Sequence, residues 1–213
     1  MTHDAAEALV WAALDAEQRG LNSGTAGNFS LRHGAGLLIT PTGIPPAEMR
    51  PDQIVSMALD GSWQGTWRPS SEWAIHARIL AARPDVGAVV HAHPDHSVAL
   101  SCLRQAIPAF HYMVAGFGGT EIPCSPYACF GSGELADTVV TTLGSRYHAC
   151  LMANHGMVSV GPDMATAIAR AAKLEMLARQ YLLALRAGNP ALLNADEMAE
   201  VAGRYREYGR QPG

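Results

Sequence analysis

The stretch VGAVVHAHP, residues 86–94, shows most directly how this chain folds. Its apolar run over 86–91 predicts a buried strand. A serine pair that can cap a helix and a proline that can end one predict a helix over 70–83, and another helix is predicted over 95–103. Strands and helices interleave in the same way along the rest of the chain. The predicted class is therefore α/β or α+β, with helices covering a sheet.

The remaining elements follow from the same patterns. Apolar residues three and four apart are typical of amphipathic helices, whereas short apolar runs between glycines and prolines indicate strands. Four prolines between residues 41 and 51 predict an irregular segment. The other predicted helices cover residues 5–19, 133–142, 165–187 and 195–205, and the other predicted strands cover 28–32, 37–40, 54–59, 149–153 and 157–160.

Composition limits the classes of function. The 213 residues are 48% hydrophobic and carry a net charge of -4, so a sizeable core is available and a basic nucleic-acid surface is not expected. Apolar runs fall short of the about 20 residues that a membrane helix needs, and the first residues lack a signal-peptide pattern. The four cysteines are expected to be buried thiols. We expect one domain over residues 1–213, in the cytoplasm, with no nucleic-acid or membrane partner.

A histidine pair ends the predicted strand. On an extended chain, residues two apart point to the same face, so His91 and His93 can bind one metal ion together. His155, in a turn between two further predicted strands, is a third candidate. Three neutral imidazoles with one open position suit catalytic Zn²⁺ or a related divalent ion. The other histidines, which we expect to be surface or hydrogen-bonded side chains, are His3, His33, His76, His96, His111 and His148.

An acid/base candidate lies in the first turn of the helix predicted over 70–83. It is Glu72, which follows the serine pair. The helix dipole favours a carboxylate at this position without any catalytic role, and it also lowers the carboxylate pKa. A base that works near pH 7 needs a higher pKa, which burial beside a metal would have to provide. An ordinary helix-start glutamate and a catalytic base are both compatible with this pattern.

Three loops have the composition of anion-binding sites. They cover residues 24–28, 40–43 and 70–71 and contain glycine, hydroxyl and amide residues before regular structure. Glycines let backbone N–H groups approach a phosphate, and hydroxyl groups add further donors. None of the loops matches the nucleotide P-loop or the dinucleotide-binding glycine pattern. Taken alone, each loop is explained as well by a turn or a helix cap.

Several motifs, in their order along the chain, resemble one family. They are LNSGTAGN at 21–28, LITPTGIP at 38–45, PSSEW at 69–73, VVHAH at 89–93, IPAFHYM at 107–113, IPCSPY at 122–127, FG at 130–131 and NHG at 154–156. The sequence is similar to the class II aldolase/adducin family, and within it to the enzymes that cleave L-fuculose 1-phosphate. The resemblance implies an α/β fold, a single three-layer α/β/α domain with a mostly antiparallel central sheet. It also implies a homotetramer with sites at subunit interfaces and one Zn²⁺, or another divalent ion such as Mn²⁺ or Co²⁺, per subunit.

The resemblance also implies roles for individual positions. His91, His93 and His155 match the family's zinc ligands, and Glu72 matches its catalytic acid/base. Tyr112 matches a tyrosine that donates a proton at the aldehyde end of the substrate bound to a neighbouring subunit. The positions that match phosphate-binding residues are Gly27, Asn28, Thr42, Gly43, Ser70 and Ser71. The positions that match residues of the aldehyde pocket are Phe130 and Tyr208.

The implied reaction is the reversible cleavage of a ketose 1-phosphate, of the L-fuculose 1-phosphate type, to dihydroxyacetone phosphate and an aldehyde. Related aldolases act on 5-deoxyribulose or 5-methylthioribulose 1-phosphate, and the unusual tail over 210–213 leaves these substrates open. Sugar-phosphate 4-epimerases and a dehydratase have similar metal sites, but the epimerases carry Asp where this chain has Glu72. Adducin-type members are non-catalytic interaction modules that lose metal ligands. A Schiff-base aldolase would need Lys173, which lies in the middle of a predicted helix.

Overall fold

A computed structural model describes residues 2–205 of the chain. Its helices fall on segments with apolar residues three and four apart, and its longer strands fall on short apolar runs between turns. In chain order the elements are α1 (Thr2–Gln18), β1 (Asn28–His33), β2 (Gly36–Ile39), β3 (Val55–Ala58), α2 (Trp73–Ala82), β4 (Ala88–Ala92), α3 (Asp95–Ser101), β5 (Ile107–Pro108), β6 (Glu121–Ile122), β7 (Cys124–Ser125), α4 (Gly133–Leu143), β8 (Ala149–Met152), β9 (Gly156–Gly161), α5 (Met164–Ala187) and α6 (Ala195–Tyr205). Short 3-10 helices lie at Pro46–Glu48, Pro51–Gln53 and Tyr112–Phe117.

One large sheet has the strand order β3-β2-β1-β4-β9-β8-β7, and β5 pairs with β6 separately. The pairs of the large sheet are antiparallel except β7 with β8. In the register of β1 and β4, Asn28 lies opposite His91 and Ser30 lies opposite Val89. The structure is therefore an α/β fold with a mostly antiparallel central sheet, as the resemblance implies.

Side-chain alternation gives the sheet two apolar faces, and helices cover both. One core joins α1 and α5 to the face that carries Phe29 and Val90. The other core joins α2 and α4 to the opposite face, which carries Val89. Asn28 and His91 alternate with the residues of the first core, so their polar side chains point toward α2.

The start of α2 differs from the prediction. A serine cap is predicted, but α2 begins at Trp73 with Glu72 in the N-cap position. The Glu72 side chain makes no capping hydrogen bond because it points toward histidines. Ser70 instead forms a turn, in which its carbonyl accepts the Trp73 N–H at 3.1 Å and its hydroxyl accepts the Glu72 N–H at 3.3 Å. A tertiary contact of one carboxylate thus outweighs the local preference for a serine cap.

Two other parts of the chain differ from the prediction. The central strand predicted over 86–91 runs from Ala88 to Ala92, because the chain before it pairs only through Gly87. The segment 107–125 contains three two-residue strands and a 3-10 helix that the sequence patterns do not predict. A strand of two residues has no alternation to detect, so its position depends on the surrounding structure.

Two expectations from composition can be compared with the structure. All four cysteines are free thiols, but only Cys150 is fully buried; Cys124 is half-buried, and Cys102 and Cys129 are exposed. The expectation of buried thiols is therefore wrong for the two exposed residues, which lie at the end of α3 and in the turn before α4. Within residues 2–205, no helix combines the length and the apolar character needed to cross a bilayer.

Candidate active site

Three histidines meet where β4 ends. His91 lies in β4 and His93 directly follows the strand. Their rings lie on one side, with centroids 4.5 Å apart, as strand alternation requires. His155 lies in the turn between β8 and β9, and its ring centroid is 4.9 Å from that of His91 and 5.0 Å from that of His93. The fold thus brings together the three residues predicted as metal ligands.

Glu72 reaches the same point from the start of α2. Its Oε2 lies 2.9 Å from His91 Nε2, and its Oε1 lies 3.2 Å from His155 Nε2. With one possible ligand atom from each residue, the four atoms lie within 4.8 Å of one another. We call Glu72, His91, His93 and His155 the metal-binding group. Three imidazoles and a carboxylate suit Zn²⁺ and related divalent ions.

Hydrogen bonds to the rest of the protein leave the atoms of this group that could bind a metal ion facing one another. His91 Nδ1 lies 2.9 Å from the Met157 carbonyl oxygen, so Nδ1 carries a hydrogen and the neutral ring presents a lone pair at Nε2. In that tautomer the 2.9 Å contact between His91 Nε2 and Glu72 Oε2 joins two acceptor atoms, and His91 Nε2, His93 Nε2 and Glu72 Oε1 are buried and have no hydrogen-bond partner. Lone pairs that face one another in a buried site are unfavourable unless a cation lies between them. The residues present therefore fit a bound metal ion.

The charges of the group also suit a cation. Burial opposes ionisation of Glu72, but His91 and the hydrogen bonds around the carboxylate hold its pKa far below the usual range. Burial, assisted by the other imidazoles, lowers the pKa of His93 to about 3 and the pKa of His155 to about 4. Burial opposes a charge on His91 as well, yet the Glu72 carboxylate raises its pKa. A proton and a metal ion therefore compete for His91 Nε2.

Asn22 and two glycines support His93. The Asn22 Oδ1 accepts the His93 backbone N–H at 3.0 Å. Gly27, at a φ of 79°, packs against the same amide group, and a Cβ on it would lie 2.3 Å from Asn22 Nδ2. Gly156 leaves room for the His93 ring, since a Cβ there would lie 2.4 Å from His93 Cδ2. Because they have no Cβ, Gly27 and Gly156 leave space for the Asn22 amide group and the His93 ring.

The three predicted anion loops lie side by side. The Phe29 N–H donates to the Thr40 hydroxyl at 3.2 Å, which joins the first loop to the second. The Ser70 N–H donates to the Thr40 carbonyl at 3.0 Å, and the Thr42 N–H donates to the Arg68 carbonyl at 3.1 Å. These bonds join the second loop to the third, next to the start of α2.

The six positions matched to phosphate binding differ in exposure. Thr42, Gly43 and Ser71 are exposed, Gly27 is half-buried, and Asn28 and Ser70 are buried. The amide group of Asn28 contacts two side chains of the protein, with Nδ2 donating to the Glu72 carboxylate at 3.2 Å and Oδ1 facing His76. The Asn28 side-chain amide therefore makes its hydrogen bonds inside the protein.

A cavity of about 350 Å³ opens onto the metal-binding group. Glu72, His93 and His155 lie on its wall. Phe130, predicted to shape the aldehyde pocket, lies on the same wall and is 71% exposed. Tyr127, which is also exposed, lies beside it. The cavity is therefore large and open enough for a small phosphorylated sugar to reach the group.

Tyr112 lies elsewhere. It lines a second cavity, of about 260 Å³, together with Lys173, Arg204 and Tyr205. Its ring stacks on His111, and the residue is 46% exposed. Within one chain Tyr112 thus does not share the cavity of Glu72. Tyr208, the other residue matched to the aldehyde end, lies outside the described residues.

Sequence patterns assign no site role to three residues around the site, and for His76 they predict only a surface or hydrogen-bonded side chain. His76 is buried and hydrogen-bonded, and its spacing of four from Glu72 is a signal that both lie on one helix face. Asn22 has no such signal, because its contact with His93 joins distant parts of the chain. Tyr127 lies within a family motif, but the motif carries no role for it.

Comparison with known proteins identifies the family. Residues 7–182 match the model of the class II aldolase and adducin N-terminal domain. The chain belongs to the class II aldolase/adducin family. This family member is 48% identical over 201 residues to a Rhodospirillum rubrum protein named 5-methylthioribulose-1-phosphate/5-deoxyribulose-1-phosphate aldolase, with 94% of this chain and 90% of that protein covered.

Two further relatives carry the name of another substrate. The family member described here is 40% identical over 205 residues to L-fuculose phosphate aldolase of Escherichia coli, with 96% of this chain and 95% of that protein covered. A solved structure named L-fuculose 1-phosphate aldolase superposes with a TM-score of 0.91 at 32% identity and covers 95% of this chain and 96% of its own. The resemblance seen in the sequence motifs is confirmed.

Proposed function

We propose that this class II aldolase family member reversibly cleaves a ketose 1-phosphate to dihydroxyacetone phosphate and an aldehyde. The observation that carries the proposal is the metal-binding group, whose donor atoms converge at the wall of an open cavity. A non-catalytic adducin-type module has no need of such a group. Glu72, where the related epimerases have Asp, favours an aldolase over a sugar-phosphate 4-epimerase.

The cation in this proposal is Zn²⁺, with Mn²⁺ or Co²⁺ as alternatives, one per chain, held by His91, His93 and His155. When bound, it supplies Lewis-acid stabilisation of the negative charge that develops as a carbon–carbon bond next to a carbonyl group breaks. The Met157 carbonyl orients the His91 ring, and Asn22 holds the backbone of His93. Such contacts keep ligands in place before the cation arrives.

Glu72 and Tyr112 move the protons. In synthesis the Glu72 carboxylate takes a proton from C3 of dihydroxyacetone phosphate, C3 forms the bond to the aldehyde carbon, and Tyr112 of the partner subunit gives its phenol proton to the aldehyde oxygen, which becomes the C4 hydroxyl group. A proton that passes from Glu72 to Tyr112 through solvent restores both groups. In cleavage the same transfers run in reverse, starting from a Glu72 that carries the proton and a Tyr112 that is a phenolate. Despite burial, the contacts with His91 and His155 hold the pKa of Glu72 below its usual range, opposite to the raised pKa expected of a base near pH 7, and this supports a carboxylate that is ionised before the substrate binds.

The phosphate end of the substrate binds the three adjoining loops. Their exposed backbone and hydroxyl groups lie next to the start of α2, beside the carboxylate that acts on the sugar. Binding energy from this non-reacting end orients the reacting carbons. The positions assigned to phosphate binding are Gly27, Asn28, Thr42, Gly43, Ser70 and Ser71.

The assembly in this proposal is a homotetramer with sites at the subunit interfaces. The separation of Tyr112 from the cavity of Glu72 supports sites at subunit interfaces, because a proton donor in another cavity can act only on a neighbouring chain. Phe130 and Tyr208 shape the aldehyde pocket. Cores on both faces of the sheet support a single three-layer α/β/α domain over residues 1–213.

Two classes of aldehyde compete as the second product. The first proposal is a substrate of the L-fuculose 1-phosphate type, supported by the fold match at a TM-score of 0.91. The second is 5-methylthioribulose or 5-deoxyribulose 1-phosphate, supported by 48% identity to the Rhodospirillum rubrum aldolase, compared with 40% for the Escherichia coli enzyme. Both substrates present the same phosphate and carbonyl end to the site and differ at the aldehyde end.

The test is enzyme-coupled detection of dihydroxyacetone phosphate. The purified protein receives L-fuculose, D-ribulose, 5-deoxyribulose and 5-methylthioribulose 1-phosphates, with and without a chelator. We expect release that the chelator abolishes and that Glu72→Gln lowers by about 10²–10⁴-fold in kcat. The ratio of kcat/KM values then names the aldehyde. Release from none of the four by protein with confirmed metal refutes an aldolase and favours an epimerase or a dehydratase.

A further inference from the structure

A buried histidine lies directly behind Glu72. His76, on α2, is fully buried and lies four residues after Glu72, so both side chains leave the same side of the helix. That side faces β1, where Asn28 and Ser30 are two residues apart and point in the same direction. His91 of β4 is the register partner of Asn28 and points the same way. Polar side chains from α2, β1 and β4 therefore meet inside an apolar core.

These side chains form a continuous chain of hydrogen bonds. Ser30 Oγ lies 2.7 Å from His76 Nδ1, and His76 Nε2 lies 2.5 Å from Asn28 Oδ1. Asn28 Nδ2 lies 3.2 Å from Glu72 Oε2, the oxygen that is 2.9 Å from His91 Nε2. Along this path His76 contacts Asn28, and Asn28 contacts the carboxylate.

The chemistry of the groups sets the direction of each bond. An ionised carboxylate can only accept, so Asn28 turns its NH₂ group to Glu72 and its oxygen to His76. His76 must then donate from Nε2, and its Nδ1 accepts from the Ser30 hydroxyl. Burial, followed by the charge of His91, lowers the pKa of His76 to about 3, which agrees with a neutral ring. One tautomer and one amide orientation satisfy the whole path.

We infer that His76 is a positioning residue that holds Glu72 through Asn28, so that the carboxylate keeps one orientation for proton exchange with the substrate. The inference rests on the proposed aldolase function. Oε2 is held by the Asn28 amide, and the buried Oε1 lies 3.2 Å from His155 Nε2. A carboxylate held at one oxygen presents the other at a constant position, as proton transfer requires.

Two substitutions of His76 separate positioning from packing. His76→Gln keeps an N–H donor near the position of Nε2, whereas His76→Leu fills the space without a donor. We expect His76→Leu to lower kcat for dihydroxyacetone phosphate release about 10–100-fold and His76→Gln to recover most of that loss. KM and the metal affinity, measured in competition with a chelator, should change less than about threefold, because no ligand or phosphate contact is removed.

Two serines of the sheet give a matched control. Ser30 and Ser159 are both fully buried, and their hydroxyl groups make hydrogen bonds of 2.7 and 2.8 Å. Ser159 donates to the Ala167 carbonyl of α5, on the other face of the sheet from Glu72. We expect Ser30→Ala to lower kcat about 3–10-fold and Ser159→Ala to leave it unchanged, with similar losses of stability. If His76→Leu does not fold, this pair and His76→Gln provide the comparison.

A measurement without turnover tests the direction of the path. In metal-free protein labelled with ¹⁵N-histidine, NMR reports which ring nitrogen of His76 carries the hydrogen. We expect a neutral ring with the hydrogen on Nε2 at neutral pH. A hydrogen on Nδ1, unchanged kcat in folded His76→Leu, or equal losses of kcat in Ser30→Ala and Ser159→Ala would each overturn the inference. If the wild-type protein releases no dihydroxyacetone phosphate, the proposed function fails, whereas the NMR result still decides the hydrogen-bond path.

Discussion

Replacing Gly156 by alanine tests how the fold makes room for a metal ligand. Gly156 begins β9, next to His155, and lies against His93. A Cβ on Gly156 would lie 2.4 Å from His93 Cδ2 and 2.6 Å from the Ala92 carbonyl oxygen. Both distances are about 1 Å or more below normal carbon contacts. The His93 ring must turn away, and the contact with the Ala92 carbonyl oxygen can be relieved only by a shift in the ladder between β4 and β9.

The size of the effect follows from these distances. Overpacking a well-packed site costs about 1–3 kcal/mol, so we expect the metal-free Gly156→Ala protein to lose about 2 kcal/mol in free energy of unfolding. The displaced His93 ring no longer presents Nε2 to the cation. We therefore expect the metal dissociation constant to rise at least about tenfold, equivalent to about 1.4 kcal/mol.

Two measurements check this prediction. Titration with Zn²⁺ in competition with a chromogenic chelator gives the dissociation constant, and urea unfolding gives the stability. Gly116→Ala is the control, because a Cβ there would meet its nearest neighbour, Tyr205, at 3.7 Å, an ordinary contact. Wild-type metal affinity in Gly156→Ala would refute the reasoning, since His93 would then be either undisturbed or not a ligand.

Three further predictions concern the anion loop, a buried guanidinium and acid stability. Gly27→Ala places a Cβ 2.3 Å from the Asn22 amide, whereas a Cβ on Gly24 meets nothing within 4 Å, although both glycines have positive φ. Urea unfolding should show that the free energy of unfolding falls by about 2–4 kcal/mol in Gly27→Ala and by about 1 kcal/mol in Gly24→Ala. Equal losses would contradict the steric reason. Arg83→Met removes the guanidinium that binds two carbonyl groups after α4 and should cost about 2–4 kcal/mol in the same assay; a loss below about 1 kcal/mol would mean that water replaces it. Burial, assisted by nearby guanidinium groups, lowers the pKa of His148 from 6.5 to about 4, so the neutral ring stabilises the fold fully above pH 6.5 and this contribution is lost as pH falls toward about 4. His148→Gln should therefore flatten the pH dependence of the urea midpoint in that range, and an unchanged slope would show that other groups cause it.

Part of the metal-binding group can be predicted from local geometry alone. His91 and His93 are two residues apart on an extended chain, and the structure keeps their rings 4.5 Å apart. His155 joins them through the register of β4 with β9, and Glu72 joins them through the packing of α2. No local pattern contains these long-range contacts, so only the family motifs predict that the four residues belong together.

The residues that the sequence does not reveal have partners far away along the chain. The amide of Asn22 holds His93, and the hydroxyl of Ser30 holds His76. From residue type alone, Asn22 and Ser30 are predicted only as turn or strand residues. Their supporting role depends on which side chain or backbone group the fold places opposite them. The same cause moves the start of α2, where a buried carboxylate takes the N-cap position that local preference gives to serine.

The metal-binding group also couples distant parts of the chain. Its residues come from the start of α2, the end of β4 and the turn between β8 and β9. A cation held by His91, His93 and His155 cross-links the end of β4 to the turn before β9 and closes a long loop that is open in the unfolded chain. Folding and metal uptake are then one linked equilibrium, in which free metal at 100 times the dissociation constant adds about 2.7 kcal/mol to the native state. The concentration of free metal would thus set the fraction of molecules that are folded and protected from proteolysis, as well as the fraction of sites that are occupied.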